Sequence, residues 1–380
     1  MPEPLHQPVR PESRPHAEAP TGPPVGQQLR AALDALLDGL PPRQTAAAVE
    51  RLIAHYRGAT PTGAPVLRDR ADVAAYAAYR MPATFEAAAS ALEALAVRVP
   101  GWRPSSHLDL GGGTGAAVWA AARTWGDAAG GQDAADRPGE GGAVRATTVL
   151  DWAAPALDLG RTLAAAAPSA ALRATEWRSQ RLARGGTAAA DGAEPGGPGT
   201  ADLVTVSYVL GELTAADRES AVADAAAAGR AVVVVEPGTP DGYLRVRAAR
   251  DVLVAAGLTV LAPCPHSDRC PIVPGEDWCH FSARVSRSSL HRQVKGGSLP
   301  YEDEKFGYVA AVRPGTGAPA GEPSVARVVR KPQLRKGQVL LDLCTDTGGL
   351  RRETVSKRQG PLYRAARDTG WGAEWPPPQP

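Results

Sequence analysis

One short stretch limits the fold of this chain more than any other. It reads His107-Leu-Asp109-Leu-Gly111-Gly-Gly113-Thr-Gly115 and runs into the alanine-rich segment 116–123. An apolar run that stops near an aspartate, three alternating glycines and a helical run spell strand, loop and helix. Glycines let a backbone approach a ligand closely, and the helix start offers unpaired N–H groups. From residue 105 onward, short apolar runs at 107–110, 147–151, 202–208 and 231–236 alternate with alanine-rich helical ones. That alternation predicts βαβ units, a mostly parallel sheet and the α/β class. Another strand is expected at 308–313. Two stretches crowded with Gly, Pro, Ala and Asp, 126–144 and 184–200, are expected to be flexible surface insertions.

Other segments flank this pattern. Residues 1–24 are proline-rich and expected to be disordered. A helical module is expected over 25–100, on an apolar stripe of Leu29, Leu33, Leu36, Leu37 and Leu40 and a second of Val49, Leu52, Ile53 and Tyr56. Residues 71–98 also read as helix, broken near Pro82. Tyr76, Tyr79, Arg80 and Phe85 could face a ligand, although helical spacing favours packing roles. The α/β region is expected to span 101–313, with a candidate metal-binding loop at 263–282 that holds three of the chain's cysteines. A basic β-rich extension of short strands follows at 324–367, and 368–380 reads as a tail.

The chain has four cysteines, Cys264, Cys270, Cys279 and Cys344, in 380 residues. Four thiolates are the usual complement of a closed zinc site or an iron–sulfur cluster. The gaps of five, eight and 64 residues are looser than the tight pairs of most zinc ribbons. A four-iron cluster and zinc therefore both stay open, and Cys344, on an apolar run, could equally be a core cysteine.

Net charge is only +2, but 327–367 holds eleven Lys or Arg against three Asp or Glu. Arg330-Lys331, Arg335-Lys336, Arg351-Arg352 and Lys357-Arg358 make it a candidate phosphate-backbone surface, with a solvated face as the bland alternative. Arg335, Lys336, Lys357 and Arg358 are the RNA contacts expected first. No run approaches the length of a membrane span, and no secretory signal is evident. The expected location is cytoplasmic, with no membrane partner.

The glycine loop resembles motif I of class I S-adenosylmethionine (SAM) methyltransferases; a dinucleotide fold more often shows G-x-G-x-x-G. Asp151, ending the next strand, fits the acidic residue that holds ribose hydroxyls, or else an N-cap. The run Ser207-Tyr208-Val-Leu-Gly211-Glu212 lacks the Asn/Asp-Pro-Pro-aromatic tetrad of amine methyltransferases. No catalytic residue is assigned; Glu212 and Glu236 are candidate polar groups nearby.

Taken together, Leu108-Asp-Leu-Gly-Gly-Gly-Thr-Gly115, Ser207-Tyr-Val-Leu-Gly-Glu-Leu213, Val235-Glu-Pro-Gly238 and Pro263-Cys-Pro-His-Ser-Asp-Arg-Cys-Pro271 resemble the Rsm22 family of small-ribosomal-subunit proteins. Trp278-Cys-His-Phe-Ser282, Tyr301-Glu-Asp-Glu-Lys-Phe306 and the tail from Arg335-Lys-Gly337 through Asp342-Leu-Cys344 to Val355-Ser-Lys357 extend the resemblance. It implies a SAM-methyltransferase fold and a 4Fe–4S site ligated by Cys264, Cys270, Cys279 and Cys344. It also implies SAM contacts at Asp109, Gly111, Gly113, Gly115 and Asp151, and assembly work on the small ribosomal subunit and its 16S-type rRNA. An active rRNA methyltransferase with structural zinc is the alternative.

Overall fold

Five strands run parallel in the order 3-2-1-4-5: β1 (Ser106–Leu110), β2 (Ala146–Asp151), β3 (Glu176–Ser179), β4 (Ala201–Ser207) and β5 (Gly229–Pro237). The order reverses between β1 and β4, which opens a crevice at the carboxyl ends of these strands. β8 (Tyr301–Val312) adds antiparallel to β5. On its other edge β8 takes two strands end to end. β6 (Thr259–Ala262) pairs with residues 310–312, and β7 (Phe281–Ser286) pairs with residues 301–306. This is the Rossmann-like sheet of class I SAM methyltransferases. The computed structural model describes residues 23–37, 73, 77, 79–127, 143–182, 201–287, 292, 299–315 and 321–377. The stripe from Val49 to Tyr56, Leu40, Tyr76, most of the first predicted insertion, all of the second and the two chain ends lie outside the described residues.

Helices cover both faces of the sheet. One face packs against α1 (Val25–Leu37), α2 (Met81–Arg98), α3 (Ala116–Trp125) and α4 (Ala154–Ala165). The short α5 (Ala170–Arg173) leads into β3. The other face packs against α6 (Ala215–Ala228) and α7 (Pro240–Ala255). β5 shows why the central strands are continuously apolar: Ala231, Val233 and Val235 enter the first layer, and Val232 and Val234 the second. In the N-terminal stripe, Leu29 and Leu33 are buried in the first layer and Leu36 packs at its edge. The predicted break near Pro82 is where α2 begins, since proline is tolerated in a first turn. Phe85, Leu92 and Leu95 of α2 are buried among sheet residues, so α2 shares the core of the α/β domain. Burying each contributes roughly 2 kcal/mol.

A second, four-stranded antiparallel sheet follows: β9 (Ala326–Val328), β10 (Gln333–Arg335), β11 (Gln338–Thr345) and β12 (Leu350–Ser356). Val339, Leu341 and Leu343 alternate onto one face and bury themselves with Val355, Ala366 and Trp375. Residues 361–367, expected as strand, lie in a helix, α8 (Pro361–Asp368). Pro361 sits in its first turn, and only one face, through Ala366, reaches the small core. Arg98 pairs with Glu374, and Arg330 with Asp277, across the boundary between the two sheets. Among the described residues no helix is long and apolar enough to cross a membrane.

Candidate functional site

The glycine loop after β1 folds over the end of β2. Gly111 and Gly112 donate their N–H groups to the Leu150 carbonyl, at 2.7 and 3.3 Å, and Gly113 N donates to Asp151 Oδ2 at 2.9 Å. Asp151 Oδ1 accepts from Ala153 N at 2.8 Å. Burial raises the Asp151 pKa, and these backbone donors act against it. Gly111, Gly113 and Gly115 all have positive φ, at 67°, 53° and 81°. Their surroundings differ. A Cβ on Gly111 would strike Val209, and one on Gly115 would strike the Trp177 ring at 2.6 Å. A Cβ on Gly113 would meet nothing nearer than Asp151 Oδ2 at 3.7 Å. Gly113 is thus the loop position with free space, and Gly111 and Gly115 serve close packing.

The structure corrects the expectation that Asp109 touches the ligand. Its side chain is 0 % exposed and lies beneath the loop, where a Cβ on Gly112 would come within 2.3 Å of Oδ2. Thr205 Oγ1 donates to its Oδ1 at 2.7 Å, and Oδ2 has no hydrogen-bond partner among the described residues. Inward-facing positions of a doubly covered strand are sealed on both sides, so the carboxyl supports the loop from below. Burial, with help from the Asp151 charge, pushes its pKa up to about 7. A raised carboxyl pKa adds stability in full below the unfolded value near 4, and that contribution fades as pH rises through about 7. Asp109→Asn is therefore expected to change little at pH 4 and to stabilise the fold at pH 8, by something on the order of 2–4 kcal/mol. Urea midpoints at the two pH values check this; a destabilised variant at pH 8 would refute it.

Glu212 and Glu236 stand beside the crevice in different states. Glu236 is fully buried, accepts from Leu210 N at 3.0 Å and pairs with Arg245 at 2.6 Å. Burial and the charges of Asp151 and Glu236 push the Glu212 pKa up to about 7. At the end of β4, where a methyltransferase tetrad would sit, Tyr208 has φ 59°. Its hydroxyl donates to Glu304 Oε1 at 3.1 Å, and the Arg80 guanidinium lies 5.0 Å from its ring centroid. A non-glycine residue held at positive φ marks a strained position, and its surroundings fix it there. Sequence reasoning gives Tyr208 no role.

The cysteines come together between the two sheets. Because β6 and β7 follow one another along one edge of β8, the segment joining them is pinned at both ends. Cys264 lies two residues beyond β6, and Cys279 two residues before β7. α7 holds the loop between them through one face: Tyr243, Arg247 and Arg250 are spaced i, i+4, i+7. Tyr243 Oη lies 3.5 Å from Cys270 Sγ, Arg247 donates to the Ile272 carbonyl at 2.8 Å, and Arg250 donates to the carbonyls of His266, at 3.0 Å, and Asp268. Cys344 arrives from β11, and its Sγ lies 3.5 Å from His266 Nε2. All four cysteines line one cavity of about 590 Å³, counting the part open to solvent. Arg250, Arg327, Ile272, Phe281 and Tyr308 share its walls.

Chemically the four thiols act on one another. Burial raises the pKa values of Cys264 and Cys279 and pushes that of Cys344 up to about 12; the charges of the other cysteines add to each shift. Among the described residues no three His, Cys, Asp or Glu side chains are arranged to hold a metal ion. Sequence reasoning misses Tyr243, Arg247, Arg250 and His266; polar residues at helical spacing on α7 are the available signal.

The basic residues also meet. Arg335 and Lys336 form the tip of the β10–β11 hairpin, where Arg335 pairs with Gln338. Gln338 pairs with Ser356, and Lys357 N donates to the Gly337 carbonyl at 2.8 Å. Arg335, Lys336, Lys357 and Arg358 therefore share one end of the small sheet, and all four are exposed. The other pairs are partly neutralised: Arg330 by Asp277, Arg351 by Glu353 and Arg352 by Asp342.

Sheet order, glycine loop and Asp151 define a Rossmann-like domain of the class I SAM-methyltransferase type, joined to a cysteine-lined cavity and a small antiparallel sheet. Residues 70–376 match the family described as mitochondrial small ribosomal subunit Rsm22, and the chain belongs to that family. It is 26 % identical over 323 residues to the human "Ribosome assembly protein METTL17, mitochondrial", a match covering 78 % of this chain and 61 % of that protein. It is also 26 % identical over 191 residues to "Rsm22-cox11 tandem protein 2, mitochondrial" of Schizosaccharomyces pombe, covering 39 % of this chain and 25 % of that one. The chain thus spans under two thirds of the length of these relatives. Among solved structures, a TehB-like SAM-dependent methyltransferase from Corynebacterium glutamicum is 15 % identical, with a TM-score of 0.33 and coverage of 70 % of this chain and 99 % of that one. Magnesium protoporphyrin IX methyltransferase from Synechocystis, with bound S-adenosylhomocysteine, is 12 % identical, with a TM-score of 0.35 and coverage of 76 % and 100 %.

The expected cytoplasmic location does not stand. The family description and the names of the human and fission-yeast relatives are all mitochondrial, against that expectation.

Proposed function

We propose that this protein is an assembly factor of the small ribosomal subunit that binds SAM at the glycine loop, carries a 4Fe–4S cluster on its four cysteines and meets rRNA through the basic end of its small sheet. The observation that carries this reading is the meeting of Cys264, Cys270, Cys279 and Cys344 in one cavity at the seam between the sheets. The donor set fits the cluster: four thiols, apolar walls and the buried guanidiniums of Arg250 and Arg327 to balance thiolate charge. The same four donors would also suit zinc, so metal content separates the two. The cluster would supply a cross-link between the two sheets. Family membership and the name of the human relative support the ribosomal role.

For SAM, the open face of Gly113 and the carboxylate of Asp151 support a cradle at the switch point of the sheet. With Tyr208 in place of the amine-methyltransferase tetrad, no base for methyl transfer is assigned. The reading is tested on anaerobically purified protein, expected to be brown with about four irons and four sulfides per chain. Because thiols must lose their protons to ligate, reconstitution is expected to weaken as pH falls. Colourless protein with one zinc would refute the cluster. Calorimetry is expected to show SAM binding that Gly113→Arg abolishes, and methyl transfer from labelled SAM to small-subunit particles would assign an enzymatic role.

A further inference from the structure

Two polar side chains point at the cysteine cavity without being ligands of the proposed set. Tyr243 Oη lies 3.5 Å from Cys270 Sγ, and His266 Nε2 lies 3.5 Å from Cys344 Sγ. They come from different elements, α7 and the β6–β7 loop, and reach different sulfurs. Both are fixed by their surroundings. Tyr243 lies on the α7 face that binds the loop and also accepts from Arg247. His266 is buried, its carbonyl is held by Arg250, and its Nδ1 has no hydrogen-bond partner among the described residues. Asp268 also stands beside the ring, so a ligated thiolate 3.5 Å from Nε2 competes with it for the ring proton. A thiolate accepts hydrogen bonds, so Nε2 carries the proton there, and the phenol O–H of Tyr243 donates likewise.

Two buried cations add to the same field. Arg327 donates to the carbonyls of Pro263 and Gly372, and Arg250 to those of His266 and Asp268. Arg250 also approaches the exposed carboxylate of Asp251, at 3.5 Å, where solvent weakens the pairing. Much of the positive charge on these two side chains is left facing the sulfurs.

We infer that Tyr243 and His266 are tuning residues: they donate hydrogen bonds to the Cys270 and Cys344 sulfurs and raise the reduction potential of the metal centre held there. The inference rests on the cluster reading above. Donors to cluster sulfurs draw off electron density and stabilise the added electron, and such bonds are among the factors that set iron–sulfur potentials. Arg250 and Arg327 act in the same direction, but they also hold the loop together, so they make poor probes.

The test is a potentiometric titration of anaerobically purified full-length protein, followed by electron paramagnetic resonance, with iron and sulfide measured on each sample. Tyr243→Phe removes only the hydroxyl, and His266→Leu removes the ring donor at similar volume. Each variant is expected to keep its iron and to show a lower potential, with the reduced-to-oxidised ratio at the wild-type midpoint falling at least about threefold. The double variant is expected to approach the product of the two effects, since different sulfurs are involved. His266→Gln, which restores an N–H donor, is expected to recover part of the loss. Unchanged potentials in both single variants at full iron content overturn the inference. Iron missing from the variants but kept by the wild type also overturns it, because the two groups would then hold the centre and not tune it. A wild-type protein without iron removes the inference together with the reading beneath it.

Discussion

Replacing Cys344 by Ser is expected to strip the metal centre and to loosen the whole small sheet, not only the mutated strand. Cys344 pairs with Arg327 of β9 and with Leu350 of β12, so it sits inside the ladder that holds this sheet together. Its sulfur is also the one ligand in the proposed set that the small sheet contributes. The remaining fasteners are modest. Arg98–Glu374 and Arg330–Asp277 are partly exposed ion pairs, worth about 0–1 kcal/mol each. The edge contact of His280 with Trp371, centroids 4.5 Å apart, contributes about 1 kcal/mol more. Metal coordination outweighs these, since ligand binding at structural sites amounts to roughly 10 kcal/mol or more. Limited proteolysis within 326–376 is expected to speed up at least tenfold, equivalent to about 1.4 kcal/mol of weakened closure, while cleavage in α2 and the large sheet stays slow. Equal protease resistance in the variant and the wild type would show that the seam holds without the centre.

Reversing Arg335, Lys336, Lys357 and Arg358 to Glu is expected to cost the protein most of its affinity for small-subunit rRNA. The hairpin tip and the segment after β12 are tied by the Lys357–Gly337 backbone bond, so the four charges act on one patch. Every phosphate that is no longer neutralised lowers the salt slope by roughly 0.7–1, so four should lower it by about three to four. At about 50 mM salt the affinity is expected to drop by at least a hundredfold, and the gap should narrow as salt rises. Iron content and SAM binding are expected to stay normal, because all four side chains are exposed and none belongs to the cavity lining. Filter binding over a salt series measures this, and wild-type affinity in the variant would reduce the patch to a solvated face.

The sequence makes some of this architecture readable and hides the rest for physical reasons. Strands buried on both faces announce themselves by continuous apolar runs, which is why 202–208 and 231–236 foreshadow β4 and β5 to within a few residues. β3, with Glu176 and Arg178, is an exposed edge strand and carries no such run. The first half of β8, Tyr-Glu-Asp-Glu-Lys, is too charged to read as strand, yet it is what β7 pairs with. The cysteines are visible as a group because no other thiols compete for attention. What the spacing does not show is that α7 organises their loop, since Tyr243, Arg247 and Arg250 look like an ordinary polar helix face. Asp109 misleads for the opposite reason. Its place at a strand end resembles a ligand contact, and only the layer of Gly112 above it reveals that it faces inward.

The placement of β6 and β7 along β8 also sets an order of events during synthesis. Both strands precede β8 in the chain, so neither has its partner until residues 301–312 have emerged. Until then Cys264 and Cys279 sit on ends that nothing fixes, and Cys344 is made later still. Domains fold as units while the chain emerges at roughly 5–20 residues per second. The βαβ units from β1 to β5 can therefore close first, several seconds before the fourth cysteine exists. The cysteine cavity is therefore completed well after the glycine loop and Asp151 have come together, and only β12, α8 and the segment to Trp375 are made later.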